Sequence, residues 1–103
     1  MYLVQLLIPI FDNERRRFSD ADFRALRDEL VDAFGGLTAY TRSTAEGLWR
    51  DGESDRAYRD EIVVYEVMCE HVDRAWWSTY RASLERRFRQ DELVIRVQEV
   101  ERL

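Results

Sequence analysis

The sequence predicts an α+β fold. Four antiparallel strands form a sheet in the order 4-1-3-2, two helices cover one face, and the chain order is β-α-β-β-α-β. Three observations predict it. Residues 61–70, Glu-Ile-Val-Val-Tyr-Glu-Val-Met-Cys-Glu, are rich in β-branched and aromatic types. Their apolar residues fall on both side-chain parities, as in a strand covered on both faces. The N-terminal run 2–10 has the same two-sided character. Two segments with helical spacing, 19–36 and 72–89, separate these strands from two weaker extended stretches. Two interleaved right-handed split βαβ units place the first and third strands in the middle of the sheet. Two-sided apolar strands belong there.

The first strand puts Tyr2, Val4, Leu6, Ile8 and Ile10 on one face and Leu3, Gln5, Leu7 and Pro9 on the other. Pro9 has no ladder donor, so pairing should end near it. Residues 11–18 read as a polar loop carrying Arg15, Arg16 and Arg17. The first helix, 19–36, starts at Ser19 with Asp22 completing a capping box. Phe23, Leu26, Leu30, Ala33 and Phe34 form its apolar stripe, and Gly35 or Gly36 stops it. Residues 37–50 read as extended, with a weak interruption around Ser43 to Gly47 and a bulge at Gly47. Residues 51–60 are polar, start with Asp-Gly and read as the turn into the central strand. The second helix, 72–89, is capped by Asp73 and buries Trp77, Tyr80, Leu84 and Phe88, with Trp76 at the margin. The last strand, 92–101, alternates Leu93, Ile95 and Val97 with Val94, Arg96, Gln98 and Val100.

The 103 residues read as one domain spanning 1–103. A net charge of −5 argues against nucleic-acid binding, which needs a basic surface. All 16 basic residues are Arg, which we read as a compositional bias of the source rather than a set of anion sites. Cys69 is the only cysteine, so no intrachain disulfide forms; a reducing, cytoplasmic setting is expected. The apolar N-terminus lacks a basic leader and a small-residue cleavage site, and no run reaches membrane-spanning length.

With both helices on one side, the opposite face would display Leu3, Leu7, Ile62, Val64, Met68, Val94 and Val100. Apolar patches of that size are uncommon on monomers. Burying such side chains against a second copy can offset the roughly 4–15 kcal/mol cost of association. A homodimer through the open sheet face is therefore expected. The alternative is that the chain's own loop and hairpin arm fold over it.

Polar residues on that face are the site candidates. Gln5, Tyr40, Glu66 and Arg96 are expected in a row across the sheet, with Arg42 opposite Glu66 if no bulge shifts the register. A carboxylate there needs a partner, which Arg42 or Arg96 can supply. The structural reading is a polar network that sets dimer register, and we weigh it above the functional one. In the functional reading these residues line a small-ligand cleft, with Glu66, Tyr40 and Arg42 as candidate catalytic groups. Trp49, in the hairpin arm, is a further candidate for a ligand or partner surface.

Cys69 and His71 point the same way at a strand end, but two ligands without a third make no zinc signature. No metal and no cofactor are expected. Nothing orients a Cys69–His71 nucleophile. The runs Arg15–Arg17 and Arg86, Arg87, Arg89 read as solvated charge. Phosphate-cradling glycine loops, GxSxG, HExxH and paired CxxC are absent.

The run Phe34-Gly35-Gly36-Leu37-Thr38-Ala39-Tyr40, then Gly47-Leu48-Trp49 and the strand at 61–68, resembles a family of small uncharacterised bacterial proteins. Trp76-Trp77 with Arg81, and Phe88-Arg89-Gln90, extend the resemblance over nearly the whole chain. It implies a ferredoxin-like fold and no established activity. More loosely, the layout resembles the dimeric α+β barrel proteins, which include cofactor-independent monooxygenases, isomerases and binding proteins. Shared architecture does not carry function. The leading expectation is a homodimer that binds a small ligand between its sheets. The alternatives are a small enzyme of the cofactor-independent monooxygenase or isomerase kind, and a partner-binding module acting through the Trp49 hairpin.

Overall fold

The computed structural model describes the backbone of residues 1–51 and 56–103, and the side chains of residues 1–40 and 61–103. The elements follow the expected order: β1 (Tyr2–Pro9), α1 (Asp20–Phe34), β2 (Thr38–Asp51), β3 (Arg56–Cys69), α2 (Arg74–Arg87) and β4 (Val94–Glu99). The strands make one antiparallel sheet in the order β2-β3-β1-β4, which is the expected 4-1-3-2 read from the other edge.

One sheet face carries the core. Val4, Leu6 and Ile8 of β1 alternate along the strand with Leu3, Gln5 and Leu7, and all three are buried. Val63, Tyr65 and Val67 of β3 pair directly with them, Leu6 standing opposite Tyr65. Phe23, Leu26 and Leu30 of α1 and Trp77 and Leu84 of α2 close over this layer. Both helices therefore lie on the same side. Across their junction, Glu29 of α1 accepts hydrogen bonds from the Tyr80 hydroxyl (3.0 Å) and from Arg87 Nη1 (2.6 Å). Phe34 stacks on Trp77 at 5.1 Å between centroids, and Trp76 stacks on Tyr80 at 4.8 Å.

The helix ends form as their residues dictate. Ser19 Oγ accepts from the Asp22 amide and the Asp22 carboxylate accepts from the Ser19 amide, both at 3.2 Å. Gly35, at φ 78°, ends α1 in the left-handed conformation and donates to the Val31 carbonyl. Asp73 Oδ1 caps α2 by accepting from the Trp76 amide.

Several boundaries differ from expectation, each for a local reason. β3 begins at Arg56, inside the stretch read as a turn, because a two-stranded ladder is closed by backbone groups and polar side chains do not end it. The register shift between β2 and β3 falls between Tyr40 and Ala45, overlapping the start of the expected interruption, while Gly47 is in regular pairing with Asp60. β4 starts late because the Leu93 amide is taken by the Glu85 carboxylate at 2.9 Å. Ala33 is exposed, since it sits at the edge of the α1 stripe rather than on its crest. Val97 has core parity but is 36% exposed, because the helix layer stops short of the β4 edge.

The 11–18 loop is ordered by Asp12. Its Oδ1 accepts the amides of Glu14 and Arg16 at 2.8 Å each, and its Oδ2 accepts from Arg89 at 3.1 Å. These bonds hold the Asp12 carboxyl below the usual carboxylate range, the Arg16 amide contributing most. Among the described residues no helix is long and apolar enough to cross a membrane.

Candidate functional site

The sheet face opposite the helices carries Leu3, Leu7, Ile62 and Val64, all half-buried, and Met68 and Val94, which are 52% and 48% exposed. A line of polar groups crosses the middle of this apolar surface. Gln5 of β1 pairs with Glu66 of β3 on one side and with Arg96 of β4 on the other. Arg96 Nε donates to Gln5 Oε1 at 2.8 Å, and Gln5 Nε2 donates to Glu66 Oε2 at 2.5 Å. The cation thus fixes which way the amide points, and the amide delivers its donor to the carboxylate. Arg96 acts on Glu66 through Gln5.

Tyr40 joins this row from a displaced position. The residue opposite Glu66 on β2 is Thr38, and Tyr40 pairs with Val64. The phenol lies on the diagonal from Glu66. Glu66, as a hydrogen-bond acceptor first and as a charge second, pushes the Tyr40 pKa above its ordinary value. Arg42 opposite Glu66 is the expectation only for an unshifted register; β2 shifts against β3 between Tyr40 and Ala45, and Thr38 stands opposite Glu66. The side chains of Arg42 and Trp49 lie outside the described residues.

Hollows flank both ends of the row. A cleft of about 320 Å³ lies beside Glu66, bounded by Leu3, Met68 and Thr38 and by the Gly35–Gly36 turn that follows α1. Another, of about 400 Å³, lies beside Gln5, Arg96 and Gln98. The Glu66 cleft is a hydrogen-bond acceptor set in apolar walls. It suits a ligand with hydroxyl or amino donors on an apolar or planar body. Thr38 and the glycine turn were not singled out as site residues from the sequence. The F-G-G-L-T run was visible, and its placement beside β3 follows only from strand pairing.

The other candidates separate from this site. Cys69 is half-buried, and burial followed by the charge of Glu70 raises its pKa, which disfavours a thiolate at neutral pH. His71 is exposed. Among the described residues no three His, Cys, Asp or Glu side chains are grouped to hold a metal ion. The arginine runs are largely engaged: Arg16 with Glu14, Arg17 with Asp20, Arg87 with Glu29 and Arg89 with Asp12. Trp77 is core and Trp76 is 37% exposed at the helix junction.

Comparison with protein-family models and with curated proteins gave no match. Among solved structures, the chain is similar to a phage SAM lyase in complex with S-methyl-5'-thioadenosine, with a TM-score of 0.64 and 11% identity over 95% of this chain and 80% of that one. It is likewise similar to a phage SAM lyase in the apo state, with a TM-score of 0.61 and 9% identity over 95% of this chain and 79% of that one. At such identity the likeness establishes the α+β fold and nothing about chemistry.

Proposed function

We propose that the chain is a homodimeric small-molecule-binding protein that holds its ligand between two stacked sheet faces, in the cleft beside Glu66. One observation carries the reading: an aligned Arg96–Gln5–Glu66 relay in the middle of an otherwise apolar sheet face. Apolar surface of this extent favours a second copy. A polar row at its centre then needs a partner that satisfies it, or the buried groups destabilise the assembly. A ligand that donates to Glu66 and lays an apolar body on Leu3 and Met68 does both.

A second reading rests on a different feature. Glu66 accepts from a neutral donor, Gln5, with Tyr40 on the diagonal and the cation one residue removed. A carboxylate so placed can take a proton from a bound substrate while Tyr40 supplies a donor. In that reading the chain is a small cofactor-independent enzyme of the monooxygenase or isomerase kind.

The test begins with sedimentation at micromolar concentration, followed by calorimetric titration with S-methyl-5'-thioadenosine and adenosine. These are nucleoside-sized probes suggested by the ligand of the structural neighbour. A dimer is expected, binding at least one probe, with affinity at least about tenfold weaker in Glu66→Gln, the scale of one charged hydrogen bond. A monomer that binds neither probe defeats the proposal. A Glu66→Gln protein that binds normally but loses turnover of a bound compound selects the second reading.

A further inference from the structure

We infer that the cleft between α2 and the β4 edge is a second binding site, for a small carboxylate carrying an apolar tail or ring. It lies on the helix side of the sheet at the β4 edge, where Arg96 of the open-face row also lines it. The cleft has a volume of about 220 Å³. That equals the liquid-volume share of roughly seven waters at ~30 Å³ each, which is room for a short aliphatic or single-ring acid.

Its floor and rim differ in chemistry. The floor is apolar, made by Trp77, Ile95 and Val97. Val97 is the telling residue. The core-parity positions of β1 and β3 from Val4 to Ile8 and from Val63 to Val67 are no more than 6% exposed, whereas Val97 is 36% exposed. The core layer is therefore unfinished at this point. The rim is cationic: Arg74, Ser78 and Arg81 line the cleft from α2. Their spacing of four and then three residues sets them on one helix face above the floor. Among the described residues neither Arg74 nor Arg81 is in an ion pair. Arg15, Arg24, Arg27, Arg86 and Arg102 are likewise in none of these pairs; Arg74 and Arg81 differ from them in lining a cleft with an apolar floor.

Guanidinium groups favour planar oxyanions and bind a carboxylate through paired N–H donors, while the Ser78 hydroxyl can add a further bond. Inorganic phosphate would meet the rim but leave Val97 and Ile95 wet. A neutral apolar molecule would cover the floor but leave the rim unused. An amphipathic carboxylate satisfies both.

The test is an amide-resolved NMR titration of the whole protein with hexanoate, hexanol and inorganic phosphate. Hexanoate is expected to shift amides in 74–81 and 95–97 at millimolar concentration. Hexanol and phosphate are expected to bind there at least about tenfold more weakly, a charge-assisted bond being roughly twice as strong as a neutral one. The Arg74→Gln/Arg81→Gln protein should bind hexanoate no better than hexanol. Absence of shifts at these positions, or equal affinity for hexanoate and either control, overturns the inference. If the double variant does not fold, the comparison of the three probes on the unmodified protein decides.

Discussion

Tyr65 and Asp12 show how much depends on single polar groups in this chain. Tyr65 is fully buried at the centre of β3, and its hydroxyl has no hydrogen-bond partner among the described residues. Burial accordingly pushes its pKa up. A buried hydroxyl without a partner destabilises, so Tyr65→Phe should leave stability unchanged or raise it by about 1 kcal/mol in urea unfolding. A loss of that size would reveal a bond the hydroxyl makes. Asp12 is the opposite case, a carboxylate satisfied by two backbone amides and Arg89. Its folded pKa is lowered, so its contribution is present above the unfolded value near 3.9 and is lost as pH falls through the lowered folded value. The Tm difference between the unmodified protein and Asp12→Asn should be largest near neutral pH and shrink below about pH 4.

Among the elements, the turn from α1 into β2 matters most, because it ends a helix and borders the Glu66 cleft. Gly35 has φ 78°, a conformation that costs a side-chain-bearing residue about 1 kcal/mol or more. Gly36 has open space where a Cβ would stand and no positive φ. Gly35→Ala should therefore lower stability by about 1 kcal/mol while Gly36→Ala stays within about 0.5 kcal/mol, both read from thermal unfolding. Equal effects would mean that the turn is held by something other than the Gly35 backbone. At the far side of the helix layer, the end of α2 is tied down differently. Arg89 adopts φ 49° and lies over the Phe18 ring at 5.5 Å, while its guanidinium meets Asp12. The loop after β1 and the end of α2 are thus joined at one residue.

At the scale of the molecule, the polar row has a direction, positive at β4 and negative at β3. Two copies stacked face to face have two simple choices of symmetry axis. An axis across the strands sets Arg96 over Arg96, like charge on like. An axis along the strands reverses the row and brings Arg96 of each copy toward Glu66 of the other. The second arrangement is the one expected of the proposed dimer. Arg96→Glu should weaken dimerisation at least about tenfold by sedimentation equilibrium, and Arg96→Glu/Glu66→Arg should recover most of it. A double variant no better than the single ones would rule out this pairing.

Periodicity and end signals alone specified much of the protein. The two-sided apolar runs of β1 and β3, the Ser19–Asp22 capping box and the Asp73 cap required only local chemistry, and each formed as read. So did the alternation that sends Gln5, Glu66 and Arg96 to one face, because parity along a strand is a property of the backbone. Register is different in kind. Whether Thr38, Tyr40 or Arg42 meets Glu66 depends on where β2 shifts against β3, and a two-sided polar strand sets no register of its own. The reach of the helix layer is likewise a matter of packing two layers of finite width. Only the assembled fold could leave Val97 uncovered beneath Arg74 and Arg81. Local patterns determine which way a side chain points; what it meets is decided by elements distant in the chain, whose relative placement no short stretch of sequence encodes.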